Sequence, residues 1–276
     1  MLELIRMDLY RLRHSKSLLV PAIVSLALVM LTYAMISLVS DPGMLQAMEG
    51  QGAEITTEDY VDAAGIVQMT GIEFASQNLF RGGFWLVLAG FAAGFFAIAD
   101  FSDGYSKNIF PLFSNTFVYA AARAVSMLVV VAIPAAANTL FSLVLGRFGV
   151  FSGVGGTALD WLWLFLAQCL TGWAFAMLMQ FVVALLQRAH GKQGWMVAAI
   201  FVLACGAVPL LCGPLSMVLH MPWIENLANF TIFGATQSVT DLFTVSTLNL
   251  VGGVCIAWGV AYTALTGLAL KVQDLA

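Results

Sequence analysis

Apolar residues run along this chain in long blocks separated by short polar connections. Six blocks are long enough to cross a hydrocarbon core of about 30 Å, which takes about 20 helical residues. They are 17–39, 83–99, 124–145, 161–187, 195–219 and 248–270, and within these bounds none carries Asp, Glu, Lys, Arg or His. The pattern predicts an all-α polytopic membrane protein, with a single transmembrane domain over 1–276 and six transmembrane helices. Ahead of the first block, Leu2, Ile5, Leu9 and Leu12 recur at helical spacing while Arg6, Tyr10 and Arg13 fall on other faces. This predicts an amphipathic helix over 1–16 lying in the membrane interface, or else a solvated basic leader that only sets topology.

The connections are unequal. Segment 41–82 is the longest and collects acidic residues between Asp41 and Glu73. It opens with the turn Asp41-Pro42-Gly43, and Thr56-Thr57-Glu58-Asp59 is a helix start ahead of Tyr60, Ala63, Ala64 and Val67 on one face. One or two helices packed over the spans are expected here. Between the last two spans, Met221–Thr247 stays greasy although Pro222 opens it and Gly234 interrupts it. Non-helical backbone at membrane depth survives only when buried in protein or lining a cavity, so short re-entrant or interfacial helices are expected.

Composition agrees with this pattern. The 276 residues are 61% hydrophobic and 9% charged, against about 45–50% and about 25% in soluble domains. The net charge of −4 leaves no basic footprint for nucleic acid. Positive residues are retained on the cytoplasmic side of a membrane. An N-terminus inside places Arg6, Arg11, Arg13, Lys16, Lys107, Arg123, Arg188, Lys192 and Lys271 there, and only Arg81 and Arg147 outside. Both termini are therefore expected in the cytoplasm, with 41–82 external, in a multi-pass protein of the cytoplasmic membrane. The 23 apolar residues of the first span lack a small-x-small cleavage site and are expected to be retained.

Chemistry is sparse. Cys169, Cys205, Cys212 and Cys255 all fall in spans, without a CxxC pair or a Cys/His cluster, and are read as small packing residues. No GxxxxGK[ST], HExxH or GxSxG motif occurs. No catalytic residue, metal site or cofactor of this chain's own is expected, and the chain is not read as an enzyme. Within the spans, Gly90 and Gly94 form a GxxxG that lets two backbones approach, either between subunits or within the chain. Pro134, Pro209 and Gly213-Pro214 are expected to kink their helices. Asn138, Gln168 and Gln180 are expected to face another helix or a pathway. The absence of ionisable residues from every span argues against proton coupling.

The polar connection 100–123 is richer than a chain reversal requires. Asp100, Asp103 and Lys107 stand there, and after the Asp103-Gly104 turn Tyr105, Ile109 and Phe110 form a short apolar face beside Lys107 and Asn108. Pro111 ends that helix, and Ser114 to Thr116 supply caps for the next. Such a helix suits insertion into a groove on another protein; the other reading rests its apolar face on lipid.

These residues resemble the permease subunits of type-2 ABC exporters, notably the small bacterial ones linked to peptide export or bacteriocin self-protection. That family carries an acidic residue after the second span, a glycine three or four positions on, then Lys and often Asn. Asp100, Gly104, Lys107 and Asn108 match, and Arg123 stands where the family often has Lys at the entry to span three. The departures are Tyr105, where Thr is frequent, and Ser114-Asn115-Thr116, where the family often has Ser-Arg. The overall layout is also similar. The resemblance implies a coupling loop docked on a separate ATPase subunit, which would hold ATP and Mg. It also implies pairing with a second copy or a homologous permease. Arg188 and Lys192 are then either a secondary ATPase contact or a topology anchor. Two other readings are an ion-coupled secondary transporter and a non-transporting membrane scaffold.

Overall fold

The computed structural model describes residues 1–14, 41–50, 68–102, 115–148, 151–186, 216–221, 229–237 and 245–274. Scattered residues from 23 to 38, and 56, 64, 65, 214 and 223, complete the described set. Most of the first and fifth expected spans lies outside it, as does most of 51–67. Among the described residues every regular element is helical.

Helix α1 (Leu2–His14) is followed by α2 (Pro42–Gly50). The expected turn at Asp41-Pro42-Gly43 is a helix start: the Gly43 amide donates to Asp41 Oδ1 at 3.0 Å and Pro42 takes the first helical position. Helix α3 (Gly71–Phe74) continues as a π-helical stretch, Ala75–Arg81, before α4 (Phe84–Ser102). The long helices that follow are α5 (Thr116–Phe148), α6 (Ala158–Leu185) and α8 (Val245–Asp274), with the short α7 (Ile232–Gln237) ahead of the last. Helices α5, α6 and the 248–272 part of α8 are long and apolar enough to cross a membrane. The pair formed by 71–81 and 85–99 adds a fourth if its two arms, bent by 56°, count as one span.

Helix starts follow local chemistry. Thr157 and Asp160 form a reciprocal capping box, with the Thr157 amide donating to Asp160 Oδ2 at 2.7 Å and the Asp160 amide to Thr157 Oγ1 at 3.3 Å. Thr70 and Glu73 do the same ahead of α3, at 2.8 and 3.4 Å. Asn115 caps α5 by accepting the Phe117 amide at 2.9 Å, one of the caps expected from Ser114 to Thr116. Both capping boxes stand at one end of the bundle. There the Gly71 amide donates to the Gly153 carbonyl at 2.8 Å and the Ile72 amide to that of Val154 at 3.1 Å.

Helix α6 is the central element, packed against α4, α5 and α8. Its buried side includes Leu164, Phe175, Met177 and Val183, which join Trp85, Leu86 and Phe96 of α4 and Met127, Val130 and Val131 of α5 in one apolar core. The indole nitrogen of Trp85 donates to the Gln168 carbonyl at 2.8 Å, tying α4 to α6. Pro134 lies within α5, which is one helix on both sides of it.

The second apolar block, expected over 83–99, is helical over Phe84–Ser102; a further helical stretch precedes it over 71–81, and the chain turns sharply between the two at Gly82-Gly83. Gly83 permits the turn with φ +75°, and a Cβ there would stand 2.5 Å from a ring carbon of Phe233. Gly234 does not break its segment; it is buried inside α7, where its amide donates to Thr231 Oγ1 at 2.9 Å. The connection 100–123 is shorter than expected, because α4 runs to Ser102 and α5 starts at Thr116.

Candidate functional site: the joint between the N-terminal helix and the bundle

The residues expected to dock a partner separate into two groups. Asp103, Gly104, Tyr105, Lys107, Asn108, Ile109 and Phe110 lie outside the described residues, as do Arg188 and Lys192. Asp100 belongs to the last turn of α4, and Arg123 lies inside α5 rather than ahead of it. The structure describes a frame made of the end of α4 and the first turns of α5, the two helices that 103–114 joins in the chain. That frame is tied elsewhere too, since Thr116 Oγ1 donates to the Gly267 carbonyl of α8 at 2.9 Å.

Helix α1 packs against α5. Its buried residues are Leu4, Asp8 and Leu12, whereas Leu2 and Leu9 are exposed. Leu4 joins Tyr119 and Ala122 of α5, Ala184 of α6 and Leu270 of α8 in a second, smaller core, with Ile5 packed against it. The i, i+4 spacing of Leu4, Asp8 and Leu12 makes one stripe. An apolar-only count misses that stripe because its middle member is a carboxylate.

Asp8 is buried because its partner is there. Its Oδ2 stands 2.8 Å from Arg123 Nη1, with both side chains almost completely enclosed. The same oxygen accepts from Ser126 Oγ at 2.8 Å, and Ser126 Oγ also lies 3.1 Å from the Ala122 carbonyl. The Arg123 guanidinium sits 4.5 Å from the ring centre of Phe96 on α4 and 6.0 Å from that of Tyr119, within the range of cation–π attraction. Arg11 approaches the same Phe96 ring at 5.8 Å. Carboxylate, guanidinium, hydroxyl and ring thus join α1, α5 and α4 at one point. A buried charge is tolerable when paired and hydrogen-bonded, and costly when its partner is removed.

Arg123 stands just ahead of the expected span 124–145, which itself contains no Asp, Glu, Lys, Arg or His. Helix α5 has 33 residues, so at about 1.5 Å per residue it is about 50 Å long and exceeds a hydrocarbon core. Arg123 lies in its first third, toward the 103–114 end, and the apolar run beyond it remains uncharged until Arg147.

Deeper in the bundle, Asn138, Gln168 and Gln180 are all buried. Gln168 Oε1 accepts from Thr139 Oγ1 at 3.3 Å, joining α6 to α5. Among the described residues, Gln168 Nε2, Asn138 Oδ1 and both polar atoms of Gln180 have no hydrogen-bond partner. Gly90 and Gly94 are buried in α4, while their neighbours Phe91 and Phe95 are exposed and stacked with ring centres 6.4 Å apart. Cys169 and Cys255 are free and buried; Cys205 and Cys212 lie outside the described residues. No group of three or more His, Cys, Asp or Glu suited to a metal ion occurs among the described residues.

The long apolar helices, with their charged groups confined to ends and joints, fit a helical membrane protein. No protein-family model matches the chain, and neither a curated protein nor a solved structure matches it.

Proposed function

We propose that this chain is the membrane-spanning permease subunit of an ATP-driven exporter of the type-2 ABC class. It would carry peptides or other amphipathic compounds and take its energy from a separate ATPase subunit. In this reading the chain has six spans in the cytoplasmic membrane with both ends inside. The carrying observation is the polar segment set between α4 and α5, with Asp100, Gly104, Lys107 and Asn108 in the spacing of a coupling loop. The chain lacks a phosphate-cradling motif of its own, so a docked ATPase supplies the nucleotide site.

The mechanism follows from how force enters a helical bundle. Closure of paired ATPases pushes on the loop between α4 and α5, and both helices pack on α6. A shift there is passed to the packed core, which moves between discrete arrangements rather than deforming continuously. A second permease, identical or homologous, completes the pathway.

The test asks first whether a neighbouring gene encodes a P-loop ATPase, then whether that ATPase co-purifies with this chain and how its ATP hydrolysis compares with and without the permease in lipid nanodiscs. Association, with hydrolysis that changes when the permease is present, supports the proposal. An ATPase that neither associates nor responds, together with transport that persists without it, would replace the proposal with an independent secondary transporter.

A further inference from the structure

Helix α1 has a second face that the bundle leaves uncovered. Leu4, Asp8 and Leu12 are buried, but Arg6, Leu9 and Arg13 are exposed and Leu2 is 82% exposed. At about 100° per residue these four exposed positions fall within about 60° of arc, about 130° round the helix from the buried stripe. Leucine and arginine therefore alternate along one side of α1. Among the described residues neither Arg6 nor Arg13 takes part in an ion pair. Asp8 belongs to the buried side, and Glu3, the other acid of the helix, falls beyond Arg6 on the side of Tyr10. The face is cationic and partly apolar, with no carboxylate among its four residues.

The bundle fixes the level of this face. Residues 124–146 of α5 carry no charge, and as helix they span about 34 Å, close to a hydrocarbon core of about 30 Å. Arg123 stands at one end of that run. Asp8 pairs with it at 2.8 Å, and Arg11 lies 5.8 Å from the centre of the Phe96 ring that Arg123 also approaches. Leu4 clusters with Tyr119 in the first turns of α5 and with Leu270 near the end of α8. Helix α1 is thus held where the uncharged run gives way to the polar helix ends, which is the level of phospholipid headgroups.

We propose that Leu2, Arg6, Leu9 and Arg13 form a binding surface for anionic phospholipid, with the guanidinium groups on headgroup phosphates and the leucines at the acyl boundary. A guanidinium presents a planar fork of donors that fits phosphate oxygens. A net negative headgroup is favoured over a zwitterionic one because no choline cation opposes the arginines. A groove on another protein suits this face less well: Leu2 and Leu9 are separated by Arg6, and no apolar anchor follows at the three- or four-residue spacing such grooves read. The proposal rests on the membrane class of the chain and not on the transport reading above.

The experiment uses the full chain in nanodiscs of phosphatidylcholine alone and in nanodiscs enriched in phosphatidylglycerol. The readout is amide hydrogen exchange of peptides covering 2–14, with peptides from α6 as reference. Exchange in 2–14 should be slower by about fivefold or more in the anionic discs, the factor one cationic residue contributes near an anionic surface. High salt should shrink the difference. Arg6→Gln combined with Arg13→Gln should abolish the lipid dependence and leave exchange in phosphatidylcholine near native, since the Asp8–Arg123 pair is untouched. Leu2→Ser combined with Leu9→Ser should speed exchange in both lipids. Peptides from α6 should exchange unchanged, which separates loss of lipid contact from unfolding. Equal exchange of the native chain in the two lipids, a lipid dependence that survives loss of both arginines, or no effect of the leucine pair would overturn the proposal. Protection of 2–14 that ignores lipid and appears only with another protein bound would assign the face to that protein instead.

Discussion

The indole ring of Trp173 occupies the space in which Gly259 would carry a side chain, and its ring nitrogen donates to the Ala124 carbonyl at 2.9 Å. One side chain of α6 thus meets both α8 and α5, and the glycine is what lets α8 come close. Gly259→Leu forces the ring or the helix aside, and overpacking of this kind costs about 1–3 kcal/mol. Gly253, on an exposed part of α8, has no heavy atom within 4 Å of the place its Cβ would take. Gly253→Ala should be neutral or stabilising, because alanine favours helix over glycine by about 1 kcal/mol. Thermal unfolding in detergent should separate the two variants; equal melting would show that the Trp173 contact is not what holds α8.

The Asp8–Arg123 pair predicts an asymmetry in stability. Removing one partner, as in Asp8→Leu, should cost about 3–5 kcal/mol, while the apolar double variant Asp8→Leu with Arg123→Met should cost markedly less. A denaturation series on the single and double variants measures the coupling. Strictly additive losses would mean that the two side chains do not sense each other.

Thr70 and Thr157 cap neighbouring helix starts at the end of the bundle away from α1. Thr157→Ala removes the acceptor for the Asp160 amide and should destabilise by about 1 kcal/mol, and Thr157→Ser should be nearly silent. Thr70→Ala should cost a similar amount for loss of its cap. The same melting assay decides this: a silent Thr157→Ala would show that the box contributes nothing.

Gln180 is buried with neither amide atom partnered among the described residues. An unpaired buried polar group costs about 1–3 kcal/mol. Gln180→Leu should therefore leave stability unchanged or raise it. If transport is lost while melting is unaffected, the amide serves the pathway; a drop in melting temperature would instead reveal a structural partner.

The proposed topology and docking segment are tested without reference to the packed helices. A cysteine at Glu58 should react with an impermeant thiol reagent added outside cells, and one at Ser106 should not. Lys107→Glu combined with Ile109→Asp should weaken ATPase association while membrane insertion persists. The reverse labelling pattern would invert the orientation, and undiminished association in the double variant would remove 103–114 as the docking element.

By itself the sequence determined the class and much of the helical skeleton. Apolar runs too long for a soluble core, an Asn ahead of α5 and a Thr-x-x-Asp ahead of α6 are local signals, and local energetics obey them. The fates of Gly90, Gly94 and Gln168 were narrowed but not settled, because a small or polar residue in a span states that something is close without stating what. Tertiary structure alone decided which side of α1 is buried. Leu4, Asp8 and Leu12 form that side because a carboxylate can be buried when a guanidinium comes to meet it, and Arg123 is supplied from a distant part of the chain. The sharp turn at Gly82-Gly83 is of the same kind: glycine permits many paths, and the Phe233 ring, brought in by α7, is packed against the one taken. Apolar burial is written in a residue's near neighbours, whereas the partner of a buried charge is written only in the fold.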